Sequence, residues 1–316
     1  MAAALALSAR NNARTGPSPS AGCIIVKDGI VIGRGVTQPG GRPHAEAMAL
    51  RMAGAAASGA DLYVTLEPCA HDSERGPACC DLICIARPAR VIIACEDPDP
   101  RTSGKGIERM RQAGIDVKTG VMAAQARRTM ADFFMRQSKA RPFVTLKLAT
   151  SLDGKIALAD GSSRWITGEA ARRHGHLERA RHPAILVGAG TVRADHPSLD
   201  VRLAGLEDRS PVRIMLGRGP APDGWLSLQS PQEITSLAFN SLMVEGGAAA
   251  ASAFLKAGLV DRILLYRAPI WIGEGKSAAG DIGLAQLAEA HGQWVLADSR
   301  MLGKDRMEIY ERADSI

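Results

Sequence analysis

Apolar and polar positions change period repeatedly along the first 140 residues. GCIIVKDGIVIGRGV (22–36) alternates around Lys27-Asp28-Gly29 and predicts a β-hairpin. HAEAMALRMAGAA (44–56) is rich in alanine and leucine and predicts a helix. DLYVTLE (61–67) predicts a strand, CCDLICIA (79–86) a helix, and RVIIACED (90–97) a strand. GIERMRQAGI (106–115) predicts a helix ending at Gly114, DVKTG (116–120) a short edge, and AAQARRTMADFFMRQ (123–137) one last amphipathic helix. The opening MAAALALSARNNAR has an apolar run but no basic region before it, so it reads as a first amphipathic helix, with a secretory signal as the alternative. Strands alternating with helices predict a layered α/β domain with helices on both faces of its sheet. After SKARP (138–142) the pattern restarts with FVTLKLAT, AILVGAGTV, PVRIML, SLMVEGG and RILLYRAPI. The boundary between two α/β domains is therefore expected near residue 140.

Composition narrows the class. With 316 residues and 46% hydrophobic content the chain can bury two ordinary cores. No stretch of eighteen or so uninterrupted apolar residues offers a membrane span. Residues 1–140 hold 18 Lys+Arg against 13 Asp+Glu, a net +5 of the chain's +6. That excess suits a phosphate-bearing substrate or nucleic acid, and equally an ordinary solvated surface. There is no arginine-rich tract and only 4% aromatic residues, so nucleic-acid binding is not expected. The six cysteines stand at 23, 69, 79, 80, 84 and 95, none beyond. Their sparseness in so long a chain predicts reduced thiols and a cytoplasmic setting.

Candidate chemistry concentrates in two short runs. PHAEA places His44 and Glu46 at a helix start, and LEPCA places Cys69 directly after Pro68 at a strand end. The zinc deaminase signature is H-x-E…P-C-x-x-C; here nine residues, not two, separate Cys69 from Cys79, which a long loop accommodates but which excludes the compact pattern. One histidine and two thiolates hold the metal with one position left open, and the glutamate moves protons. Either Cys79 or Cys80 can supply the second thiolate from sequence alone, with Cys79 the choice because it opens the helix. Cys23, Cys84 and Cys95 lie in apolar runs and read as core. His174, His176 and His182 form a loose polar cluster with no thiol or carboxylate to complete a second metal site.

These runs carry a specific resemblance. PHAEAMAL, YVTLEPCAH, RGPACCDLI and EDPDPRTSGKG are together similar to the deaminase half of the bifunctional riboflavin-biosynthesis deaminase/reductase family, and the likeness spans essentially the whole chain. It implies a cytidine-deaminase-like three-layer α/β/α domain over 1–140, zinc on His44, Cys69 and Cys79, Glu46 as proton shuttle, and Arg75 near a substrate phosphate. His71 matches the histidine of the family's Cys-Ser-His run. The chain departs from the family in having Ser18 where asparagine is expected, GPAC in place of Pro-Pro-Cys, and one extra residue between the cysteines.

The second half, 141–316, resembles the family's reductase half, which implies a dihydrofolate-reductase-like α/β domain using NADPH. VTLKLATSLDGKIAL, SSRWITG, ILVGAGTVRADHPSLDVR and VEGG carry this likeness. By position it implies that Ala149, Trp165, Thr191, Asp195 and Gly247 line the cofactor. It implies likewise that Ser163, Arg179, Leu199, Arg202 and Glu245 hold the phosphorylated substrate. The glycines of GAGTV and EGGAAAA suit helix starts that cradle phosphate, or simply tight strand-to-helix turns. The segment from about 218 to 241 is shorter than the family's, and the family's cofactor-side aspartate and small polar residue fall on Gly217 and Arg218. Arg218 becomes a candidate partner for the cofactor's 2′-phosphate.

The expected function is deamination of 2,5-diamino-6-ribosylamino-4(3H)-pyrimidinone 5′-phosphate, then NADPH-dependent reduction of the ribose of 5-amino-6-(5-phosphoribosylamino)uracil. The family resemblance also implies a homo-oligomer, a dimer or larger. The alternatives are a deaminase of another base, nucleoside or tRNA adenosine with a degenerate second half, and a non-catalytic zinc module closed by a fourth ligand.

Overall fold

The computed structural model describes residues 1–11 and 13–313. The chain divides into two compact units, Met1–Ala140 and Arg141–Ile316. In the first, a five-stranded sheet is built from β1 (Gly22–Lys27), β2 (Ile30–Val36), β3 (Asp61–Leu66), β4 (Arg90–Cys95) and β5 (Asp116–Lys118), in the order β2-β1-β3-β4-β5. β1 runs antiparallel to β2 and β3, whereas β3, β4 and β5 are mutually parallel. Cys23, Ile25, Leu62, Val64, Val91 and Ile93 supply its buried layer, each such side chain contributing about 1.5–3 kcal/mol by leaving water.

The helices are α1 (Ala2–Ser8), α2 (Ala45–Ala53), α3 (Cys79–Ala86), α4 (Lys105–Gln112), α5 (Ala123–Thr129) and α6 (Ala131–Lys139). Glycines decide how closely two of them approach the sheet. A Cβ on Gly22 would lie 2.0 Å from the Ala4 carbonyl of α1, and one on Gly35 would lie 2.1 Å from the Ala45 carbonyl of α2. Gly35 pairs with Cys23, one residue along from Gly22, so α1 and α2 cover opposite faces. This is the expected α/β/α sandwich. Of the predicted first helix, Ala2–Ser8 is helical and Ala9–Asn11 forms a single 3₁₀ turn; position 12 of that prediction lies outside the described residues. The single helix predicted over 123–137 is two helices, separated at Met130, whose backbone leaves the helical region (φ −112°, ψ 28°) while its side chain is buried beside Ala126 and Phe133.

The second unit holds an eight-stranded sheet in the order β10-β9-β8-β11-β6-β12-β15-β14 and a two-stranded ribbon β13-β7. Its strands are β6 (Phe143–Thr150), β7 (Lys155–Leu158), β8 (Ala184–Gly188), β9 (Val212–Leu216), β10 (Leu226–Leu228), β11 (Ser241–Val244), β12 (Arg262–Arg267), β13 (Gly275–Ser277), β14 (Trp294–Leu302) and β15 (Asp305–Arg312). Six neighbouring strands from β10 to β12 are parallel, and β15 and β14 close one side antiparallel. The parallel strands are buried on both faces. Leu186, Ile214, Leu242 and Val244 enter one apolar cluster and Ile185, Val187, Met215 and Met243 the other, which is why these segments read as continuous apolar runs. Helices α7 (Glu169–Arg179), α8 (Ala189–Asp195) and α9 (Ala248–Lys256) complete the unit. In the run AILVGAGTV the strand ends at Gly188 and α8 begins at Ala189, the strand-to-helix turn that its glycines suit. Where residues appeared to be missing, the chain keeps a three-residue strand, β10, and a 3₁₀ turn at Pro231–Ser236.

Candidate functional sites

His44 is the N-cap of α2, and Glu46 lies in its first turn. Cys69 follows the end of β3, and Cys79 opens α3. These local signals converge. His44 Nδ1 lies 3.6 Å from Cys69 Sγ and 3.4 Å from Cys79 Sγ, and the three donor atoms all fall within 4.8 Å of one another. Tetrahedral zinc with bonds of about 2.3 Å to sulfur and about 2.05 Å to nitrogen separates such a pair by about 3.6 Å. The residues present fit zinc without rearrangement.

Electrostatics agrees with geometry. The Cys79 thiol and amide and the His44 ring hydrogen-bond to the Cys69 sulfur and draw its pKa down to about 3. Cys79 is pushed up, first by that shared proton and then by burial. The pair thus favours one thiolate and one thiol, where a divalent cation would hold both as thiolates. Glu46 is 3% exposed, and burial raises its carboxyl to about 7 against the opposing pull of His44.

The choice between neighbouring cysteines is decided by α4. Arg109 Nη1 lies 3.4 Å from Cys80 Sγ and 2.8 Å from Asp81, so Cys80 faces away from the cluster. Among the described residues no fourth protein donor joins the three, leaving the open position that a catalytic zinc requires and a closed structural site lacks. Cys79→Ala should lower bound zinc stoichiometry, measured by metal analysis, while Cys80→Ala should leave it unchanged.

The 70–78 loop is stiffened by the Asp72 carboxylate, which accepts the Ala78 N–H at 2.8 Å. Arg75 is exposed on that loop with Nη1 on the Gly40 carbonyl at 3.0 Å, and His71 Nδ1 sits 3.4 Å from Thr102 Oγ1. Sequence reading passed over Glu67. Its buried carboxylate accepts the N–H groups of Asp97, Gly104, Gly106 and Ile107, pinning the strand end that carries Cys69 to the start of α4. A charged residue at the end of a buried strand was the available signal.

In the second unit the carboxyl ends of β6, β8 and β11 open into a cavity of about 1080 Å³, the usual place for ligands in parallel sheets. Ala149, Trp165, Thr191, Asp195 and Gly247, expected against the cofactor, all line it. Ser163, Arg179, Leu199, Arg202 and Glu245, expected against the substrate, line it too. Arg218 does not, and none of the lining residues comes from 218–241. Gly247 caps α9, whose first turn borders the cavity and offers free amides to an anion. Gly246 has a packing reason as well, because a Cβ there would lie 2.7 Å from that of Ala250. The cavity thus offers room and a phosphate cradle for a dinucleotide.

Two substrate candidates turn out to hold each other. Arg179 donates Nε and Nη2 to the two Glu245 oxygens at 2.7 and 3.0 Å. Lys147, not singled out from sequence, reaches the same carboxylate at 3.5 Å. Burial alone would raise the Glu245 carboxyl, but Lys147 and Arg179 override it and hold it at about 2. Arg202 remains open to solvent, 63% exposed, beside Asp200. Arg172 stacks on Trp165 at 4.7 Å at the cavity wall. His174 and His176 hydrogen-bond Tyr266 and the Asp200 carbonyl, and His182 bonds Thr145, so the three histidines form no metal cluster.

Residues 1–95 match the model of the cytidine and deoxycytidylate deaminase zinc-binding region, and residues 142–306 match that of the RibD C-terminal domain. The riboflavin biosynthesis protein RibD of Escherichia coli (strain K12) is 38% identical over 96% of either chain. RibD of Acinetobacter baumannii superposes with a TM-score of 0.88 at 34% identity, covering 98% of this chain and 97% of that one. The diaminohydroxyphosphoribosylaminopyrimidine deaminase/5-amino-6-(5-phosphoribosylamino)uracil reductase of Thermotoga maritima does so with a TM-score of 0.89 at 31% identity, covering 99% and 97%. A zinc-type deaminase site and a RibD reductase domain in one chain, matched to RibD proteins almost end to end, place this chain in the RibD family of bifunctional riboflavin-biosynthesis enzymes.

Proposed function

We propose that residues 1–140 deaminate 2,5-diamino-6-ribosylamino-4(3H)-pyrimidinone 5′-phosphate and that residues 141–316 reduce the ribose of 5-amino-6-(5-phosphoribosylamino)uracil with NADPH. The observation that carries this reading is the His44–Cys69–Cys79 cluster with the buried carboxyl of Glu46 on the same helix start. Held by those three residues, zinc supplies the Lewis acid that makes water a nucleophile near neutral pH. Glu46 takes one proton from the water and gives it to the ring nitrogen, then takes the remaining hydroxyl proton and gives it to the departing amine. A carboxyl raised to about 7 is matched to giving and taking a proton at that pH. The carbon–nitrogen bond breaks and ammonia leaves. Arg75, exposed on the 70–78 loop, would meet the substrate phosphate in this reading.

In the second unit NADPH supplies the hydride. Ala149, Trp165, Thr191, Asp195 and Gly247 would hold it, with the start of α9 available to its phosphates. Arg202 and Ser163 receive the sugar phosphate, while Leu199 and the Arg179–Glu245 pair shape the floor. Hydride adds to ribose C1′, the ring oxygen departs from that carbon, and a proton completes the ribityl hydroxyl. The lining owes nothing to 218–241, which supports an active reductase despite that segment's brevity.

A small phosphorylated pyrimidine, not a nucleic acid, is the partner in this reading. The cytoplasm is its setting, supported by six free cysteines; no described helix is long and apolar enough to cross a membrane. Assembly into a dimer or larger is supported by the edge strand β14, whose Val295 and Leu296 are exposed.

Incubation of zinc-loaded protein with the pyrimidine substrate, followed by mass analysis, tests both halves. Without NADPH an amine should be exchanged for oxygen; with NADPH the product should also gain two hydrogens. Recovery of untouched substrate would overturn the first half, and a deaminated product that never gains hydrogen the second. Arg202→Ala should raise the KM for the deaminated intermediate about tenfold or more in an NADPH-oxidation assay, the loss expected for a charge-assisted phosphate contact.

A further inference from the structure

Two loops border the metal-binding cluster, and each reaches the other with an arginine. Arg75 of the 70–78 loop donates to the Gly40 carbonyl at 3.0 Å, and Arg42, two residues before His44, donates Nη1 to the Pro77 carbonyl at 3.4 Å. The second arm of Arg42 points inward, with Nη2 4.0 Å from Cys69 Sγ. The side chain is half-buried, and among the described residues it has no carboxylate partner. Its charge is therefore directed at sulfur. Cys69 Sγ also accepts the Cys79 N–H at 3.2 Å, so one of the two sulfurs collects both a backbone donor and a cation.

We propose that Arg42 is a positioning residue of the metal site, which draws electron density from the Cys69 sulfur and braces the segment leading to Cys79 against the one leading to His44. The inference rests on the zinc reading above. A cation and a hydrogen-bond donor beside a thiolate stabilise its filled orbitals and weaken its donation, leaving the metal a stronger Lewis acid. Arginine suits the place because its planar fork serves two acceptors in fixed directions; a lysine keeps the charge but cannot hold both arms.

Cobalt(II) in place of zinc makes the sulfur visible. In the full-length Arg42→Gln protein the sulfur-to-cobalt charge-transfer band should move to longer wavelength, because the sulfur orbitals rise when the cation leaves. The ligand-field bands of a four-coordinate site should stay. Arg42→Lys should keep the band near the wild-type position. In parallel, loss of the brace to Pro77 should outweigh the firmer donation of the released sulfur, so zinc affinity by chelator competition should fall at least about tenfold in Arg42→Gln, and turnover should fall in kcat with KM for the pyrimidine little changed. An unmoved band in Arg42→Gln overturns the proposal, as does a rise confined to KM, which would make Arg42 a substrate contact. If Arg42→Gln holds no cobalt, Arg42→Lys decides: a band at the wild-type position supports the charge role, and a red-shifted one overturns it. Absence of any charge-transfer band in the wild-type protein would instead refute the metal site itself.

Discussion

Glu46→Gln protein should bind zinc like the wild type and release ammonia from the pyrimidine substrate roughly 10²–10⁴-fold more slowly, the span that a positioned general acid–base contributes. The two side chains have the same shape, and Glu46 is not one of the three clustered donors, so the metal has no reason to leave. What changes is the proton. Glu46 is buried, its carboxyl raised to about 7 by that burial, and an amide there can neither accept nor deliver a proton. Metal analysis checks the first expectation and an ammonia assay the second. NADPH oxidation with pre-deaminated substrate should be unaffected, because the residues lining that cavity all lie beyond 140. Wild-type ammonia release would remove Glu46 from the mechanism.

Glu245→Gln should cost the second unit most. The carboxylate is held bidentately by Arg179 and approached by Lys147, with the side chains of Glu245 and Arg179 only 10% and 16% exposed. Removing one partner of such a pair leaves buried positive charge uncompensated, typically at about 3–5 kcal/mol. For a domain of this size that corresponds to a fall of roughly 10 °C in the thermal midpoint of this unit, with loss of NADPH-dependent reduction as the cavity floor loosens. Calorimetry and an NADPH assay measure the two effects, and an unshifted midpoint would show that the pair contributes little. The pH dependence has a definite sign. The Glu245 carboxyl sits at about 2 in the folded unit, below its ordinary value of 4.5. Its stabilisation is therefore complete above about pH 4.5 and is lost as pH falls towards about 2. Glu245→Gln protein should lack that component of the acid slope.

The zinc cluster was legible because its parts are local. A histidine before a helix, a cysteine after a strand and a cysteine at the next helix start are each set by chain-neighbour geometry, and all three elements formed where the hydrophobic periods predicted them. The cavity residues of the second half came from resemblance; composition and period alone would have read GAGTV and VEGG as plain turns, and for Gly246 packing against Ala250 does require glycine. Lys147 escaped notice because it stands in a strand whose neighbours are apolar. Arg42 escaped because an arginine before a proline carries no signal of its own.

Sequence by itself determined the two-part α/β order, the helix and strand ends that present His44, Glu46, Cys69 and Cys79, and the sparse, one-sided distribution of cysteines. Tertiary structure alone decided which of two adjacent thiols joins the cluster, because successive helix residues point about 100° apart and Arg109, 29 residues downstream of Cys80, occupies one of those directions. It alone decided that Arg179 and Glu245, 66 residues apart, hold each other. It also split the helix at Met130, whose backbone leaves the helical region although the hydrophobic period runs on through it. Periodicity reports what each residue does relative to its chain neighbours. Which charges meet depends on how distant elements pack.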